Sequence, residues 1–168
     1  SLPRALHSTT TTLNGDGMVY RFDLGPERVL LTTRLVRTDD FRLDEGLSAG
    51  PRSTPGFGDY GFVRFSFCLG VRNQANTAFL PIPPAEPGGV PRLLITWDAG
   101  RPVEIDTATL DVATTVGRRQ EWTPEAAGKL ALPPIFASAH PAVDPASGEI
   151  FTANFGKGLL WLLATTPL

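Results

Sequence analysis

The sequence predicts an all-β fold assembled from propeller blades, and three observations carry that expectation. Apolar and polar residues alternate over short stretches bounded by Gly, Pro, Asn and Asp. No stretch shows a convincing amphipathic helical period. One hairpin turn also occurs twice. Ile105-Asp-Thr-Ala-Thr-Leu-Asp-Val112 and Val143-Asp-Pro-Ala-Ser-Gly-Glu-Ile150 share a hydrophobe, an aspartate, three turn residues, a spacer, an acid and a β-branched hydrophobe. They lie 38 residues apart, 106 to 144. A four-stranded propeller blade spans about 40–45 residues, whereas a Greek-key sandwich, the fallback, predicts no echo at that length. The 168 residues hold only two or three blades, too few to close a propeller.

The elements follow in order. Residues 1–12 are polar and Thr-rich and read as a poorly ordered lead-in carrying His7, expected exposed. Asn14-Gly-Asp-Gly-Met-Val19 is a turn entering a strand. Met18–Phe22 and Val29–Val36 are strands of one hairpin, with Gly25-Pro26 between them. Residues 43–61 are rich in Gly, Pro and Ser and read as a long loop. Phe57 and Tyr60 within it face a lipophilic substrate or membrane, or fill a local cluster. Phe62–Leu69 alternates as a half-buried strand, and Ala78–Ile82 is the next. Five prolines in 81–91 mark a connector outside any ladder. Arg92–Trp97 reads as a central strand, and Asp98-Ala-Gly-Arg-Pro102 turns it into Val103–Ile105. Residues 121–134 form a linker with one helical turn over 124–130, capped by Thr123. Residues 158–165 form a wholly apolar strand that needs neighbours on both faces, so further polypeptide is expected beyond it.

Composition narrows the function. Fifteen basic residues against 17 acidic ones give a net charge of −2, and Arg118-Arg119 is the largest basic cluster, so no nucleic-acid partner is expected. One cysteine, Cys68, excludes an internal disulfide and reads as a small strand residue. No apolar run approaches the ~20 residues of a spanning helix. Neither a Ser-His-Asp nor a Cys-His arrangement can be assembled, and no phosphate-cradling glycine loop precedes a helix. Asp39-Asp40 and Asp44-Glu45 read as solvated surface carboxylates.

His140 is the residue with chemical potential. Pro141 removes a backbone donor and biases His140 towards extended geometry. Asp144-Pro-Ala-Ser-Gly148 is a tight turn, and 149–154 is the return strand. A rigid strand end therefore presents an imidazole, as for a metal ligand, although a lone histidine is more commonly a hydrogen-bonded structural residue. Imidazole suits Fe, Zn, Cu or Ni alike.

Ala139-His-Pro-x-x-Asp-Pro-x-Ser-Gly-Glu-x-Phe151 resembles the AHPxxDPxTGExF signature of the carotenoid cleavage oxygenases. Shorter likenesses run through 14–19 (the family's DGDGM-type segment, here with Leu13-Asn14 before it), 34–41, 72–77 (KNxANT) and 94–102 (LxLWEGGxP). The resemblance implies a seven-bladed propeller, of which residues 1–168 are the N-terminal part. It also implies a non-haem Fe(II) dioxygenase that uses O2 to cleave a carotenoid, apocarotenoid or stilbene-like double bond. His140 would be the first of four iron-binding histidines. Polypeptide C-terminal to this chain, on the same or a separate chain, would supply the other three. Asp98 falls on the glutamate that hydrogen-bonds another ligand histidine; its alternative reading is a turn cap. The lipophilic polyene or stilbenoid substrate is compatible with a cytoplasmic location and peripheral membrane contact, although no stretch requires a membrane. The remaining alternatives are a non-catalytic propeller fragment with a binding or assembly role and a family isomerase.

Overall fold

The computed structural model describes residues 15–49, 56–60, 63–66, 69–84, 86–122, 135 and 137–153. The lead-in with His7, Cys68, the turn expected over 124–130 and the apolar strand expected at 158–165 lie outside the described residues.

The chain is predominantly β, and its sheets are antiparallel. β1 (Met18–Leu24) and β2 (Val29–Leu35) form a hairpin in full register from Met18 opposite Leu35 to Leu24 opposite Val29. β3 (Gly58–Tyr60), β4 (Val63–Ser66) and β5 (Gly70–Val71) form a small sheet. β6 (Ala78–Ile82), β7 (Arg92–Thr96), β8 (Val103–Ile105) and β9 (Val112–Thr115) form a four-stranded meander in sequence order, the topology expected of a blade. A short hairpin follows, β10 (Ala142–Val143) with β11 (Ile150–Phe151). Pro81 falls inside β6 rather than starting the connector, and the strand tolerates it because β6 is the edge of its sheet.

The meander is covered on both faces, and alternation along β7 divides them. Leu93 and Ile95 join Val103, Ile105 and Leu110 against Val19 of β1 and Val36, the residue after β2. Leu94, 1% exposed, points the other way with Leu80 and Ile82, and Val143 of β10 packs against that cluster. Apolar side chains are therefore buried on both faces of β7.

Among the described residues, two helices interrupt the strands. The short α2 (Arg119–Trp122) opens the expected linker. The other corrects the expectation of a loop from residue 43: α1 spans Asp39–Ser48. Thr38 caps it, its hydroxyl accepting the Phe41 N–H at 3.1 Å, and Asp39 and Asp40 place negative charge in the first turn. The Thr-Asp-Asp signal was present in the sequence, but the Gly, Pro and Ser beyond it dominated the reading.

The carboxylates of this helix are also not all solvated surface. Arg72, 1% exposed, grips Asp16 with Nε to Oδ1 at 3.0 Å and Nη2 to Oδ2 at 2.9 Å, while Nη1 donates to Asp44. Arg64 Nη2 donates to the same Asp44 oxygen at 2.9 Å. Phe41 and Phe57 lie 5.5 and 5.6 Å from the Arg72 guanidinium, so the buried Phe57 fills this cluster. Asp40 accepts the Asn73 N–H at 2.6 Å, and the Thr38 hydroxyl donates to Asn73 O at 3.1 Å. Asp39 and Glu45 remain exposed as expected.

Close backbone approach completes the knot. Gly17 N–H donates to Gln74 O at 2.9 Å, and a Cβ on Gly17 would lie 2.1 Å from Ala75 O. The stretch resembling DGDGM and the stretch resembling KNxANT are therefore contact partners.

The duplicated turn proves to be one structure used twice. Leu110 N–H donates to Asp106 O at 2.7 Å and Asp106 N–H to Asp111 O at 2.9 Å; Gly148 to Asp144 O at 2.8 Å and Asp144 to Glu149 O at 2.9 Å repeat the pattern. The fourth loop residue is left-handed in both, Leu110 at φ 65° and Gly148 at φ 74°. Asp106 is held below the ordinary carboxylate range chiefly by the Thr109 N–H, then the Ala108 N–H. Asp144 is held low by the Ala146 N–H and the Ser147 hydroxyl.

Two predictions follow from these contacts. In the intact protein, Arg72→Met leaves two carboxylates short of a partner and should cost about 3–5 kcal/mol in urea unfolding, whereas Glu45→Gln at the exposed Arg37 pair should cost less than about 1 kcal/mol. Each low-lying aspartate contributes stability that is complete above about pH 4 and is lost as pH falls through its lowered value. Asp144→Asn should therefore shrink the loss of thermal stability between about pH 4 and pH 2; an unchanged acid limb in a melting series would refute this.

Candidate metal centre

The segment leading to His140 is built by its neighbours more than by itself. Ile135 and residues 137–140 lie past the C-terminal end of β7, and four bonds fasten them there or to the residue after β11. Gly100 N–H donates to Ile135 O at 2.6 Å. Ser138 N–H donates to the Thr152 hydroxyl at 3.2 Å. Ala139 N–H donates to Asp98 Oδ1 at 3.2 Å. Thr96 Oγ1 donates to Ala139 O. Gly100 reaches its place only as glycine. Its φ is 101°, and a Cβ there would lie 2.5 Å from Asn73 Cγ. Asn73 in turn donates through Nδ2 to Arg101 O at 2.8 Å, so the buried knot and the turn after β7 are continuous.

His140 follows this anchored residue directly. Its backbone N–H donates to the Ser138 hydroxyl at 3.3 Å, and Pro141 occupies the next position. The residue is exposed, and among the described residues its imidazole has no hydrogen bond or ion pair. Ala139, in contrast, is buried. The Asp144 turn closes the far end of the hairpin, with Ala142 opposite Phe151 and Val143 opposite Ile150. The expected return strand is shorter than 149–154, covering Ile150–Phe151.

Asp98 and His140, singled out separately in the sequence, are brought to adjacent positions. The bond made by the Asp98 carboxylate goes to the Ala139 amide, one residue before the imidazole. The turn after β7 does not use it: the Gly100 N–H is taken by Ile135. Asp98 is exposed, and its Oδ2 keeps accepting capacity.

One imidazole with open coordination positions fits one corner of a metal site. No group of three or more His, Cys, Asp or Glu that could hold a metal occurs among the described residues. A single imidazole is one donor, so a metal held here would take its other ligands from outside the described residues. No helix among the described residues is long and apolar enough to cross a membrane.

Sequence reasoning missed Thr96. Its hydroxyl sits at a buried position of a central strand, where an apolar β-branched residue packs equally well. That mismatch was the available signal.

The family model described as retinal pigment epithelial membrane protein matches residues 3–164. No curated protein matches the chain significantly. The match spans nearly the whole chain, including the His140 hairpin and every stretch that carried the resemblance, and the chain belongs to this family, that of the carotenoid cleavage oxygenases.

Proposed function

We propose that this chain is the first-ligand portion of a non-haem Fe(II) dioxygenase that cleaves a C=C bond of a carotenoid, apocarotenoid or stilbene-like substrate to carbonyl products. The observation that carries the reading is the anchored strand end at Ala139-His140. An imidazole with no partner among the described residues follows a residue bonded through both its N–H and its C=O. The meander and the hairpins before and after it are, on this reading, consecutive parts of a seven-bladed propeller.

His140 would donate one ring nitrogen to the metal. Three further histidines would come from polypeptide C-terminal to this chain. Iron bound there would supply the dioxygen chemistry that no side chain here provides. The chain's own contribution is position: β7 holds Ala139, Pro141 restricts His140, and the Asp144 turn sets the course of the return strand. Asp98 Oδ2 is the acceptor available to the N–H of a second ligand histidine, fixing its tautomer. The lipophilic substrate and peripheral membrane contact belong to the same proposal.

The test uses the full-length protein. Roughly one iron per protein is expected in the wild type, and His140→Ala should weaken Fe(II) binding by more than about 100-fold, beyond the range for outer-shell changes. Incubation with substrate under labelled dioxygen should place label in a cleaved carbonyl. Rearranged product with no label would make the protein an isomerase. Full-length protein that binds no iron would leave the binding or assembly role.

A further inference from the structure

We infer that Thr96 is a positioning residue for His140, and that Thr96 and Asp98 together form a two-point clamp on the residue preceding it. The inference rests on the reading of His140 as a metal ligand.

Thr96 is the last residue of β7, and Asp98 stands two residues on, in the bend that follows the strand. Both reach Ala139. Asp98 Oδ1 accepts its N–H at 3.2 Å, and the Thr96 hydroxyl donates to its C=O. The two backbone polar groups of one buried residue are therefore satisfied by two side chains of one strand end. Thr96 is 1% exposed and has a single hydroxyl proton. The same hydroxyl also lies 3.3 Å from Ala78 O, the carbonyl of its partner residue on β6.

The Ala139 carbonyl belongs to the same rigid peptide plane as the His140 nitrogen. Holding that oxygen fixes the plane from which the His140 Cα emerges. Pro141 restricts the following torsion from the other side. The direction of the imidazole is thus set from both flanks, and the flank before it depends on a hydroxyl. Valine at 96 would keep the shape and the strand propensity while leaving a buried carbonyl without its donor.

The experiment compares Fe(II) affinity, by competition with a chromophoric chelator, in full-length apoprotein carrying Thr96→Val, Thr96→Ser, Leu93→Ala or His140→Ala. Thermal melts are run in parallel. Thr96→Val should lose about 10–100-fold in affinity, the range for groups that orient a ligand, and Thr96→Ser should recover most of it. Leu93→Ala removes packing on the opposite face of β7 and should lower stability with affinity nearly unchanged. If Thr96→Val does not fold, Thr96→Ala against Thr96→Ser makes the same comparison. Unchanged affinity in the Thr96 variants, with collapse in His140→Ala, overturns the clamp alone. Equal losses in Leu93→Ala and Thr96→Val at equal destabilisation also overturn it. Unchanged affinity in His140→Ala overturns the ligand reading itself.

Discussion

A guanidinium taken out of water is the constraint on which the rest of the structure depends. Arg72 lies in a position that only full pairing makes tolerable, and its partners come from far along the chain: Asp16 before β1, and Asp44 on α1. The side-on fork to Asp16 fixes both distance and orientation, more than a lysine in the same place could do. Once that fork is closed, Gly17 lies against Gln74 and Ala75, and the start of β1 has one place to go. Asn73, the next residue, holds α1 through Thr38 and Asp40 and the turn after β7 through Arg101. A line of contacts therefore runs from the first described turn to the strand end that carries Ala139. Buried charge is an inefficient source of net stability. Here it selects one arrangement among the many that short antiparallel strands could adopt.

Much of the architecture was legible because its causes are local. Ala78–Ile82 and Val103–Ile105 are strands with the expected bounds, and Val29–Leu35 ends one residue early. The echo between residues 106 and 144 was legible because a turn is specified by its own residues. The two copies share hydrogen bonds although one uses Gly148 and the other Leu110 at the left-handed position. Helix α1 was missed because its cap and first turn are three residues long, and the misleading composition beside them is much longer. Asp40 and Asp44 were misread for a different reason. Adjacent acids in a polar stretch look solvated unless their partners, 33 and 28 residues away, are known.

The candidate centre divides along the same line. His140, its proline and its closing turn are contiguous and were readable together. The groups that orient the segment are drawn from 41 and 43 residues upstream. Asp98 was identified through a family pattern that assigns it to an imidazole; its bond in this chain is to a backbone amide next to one. Thr96 left only a faint mark in the sequence, a hydroxyl where a hydrocarbon would serve.

The position of β7 has a consequence for how the molecule opens. A two-pair hairpin such as β10–β11 frays readily, and so does any pairing at the chain's margins. β7 has strands on both edges and buried apolar side chains on both faces, so its amides should be among the last to exchange with solvent. The residue before His140 is fastened to that strand and its immediate end, not only to its own hairpin. Local breathing can therefore run through β10 and β11 while the approach to the imidazole keeps its course. Loss of the site's geometry is thereby tied to cooperative unfolding of the meander rather than to the everyday motion of the turn beside it.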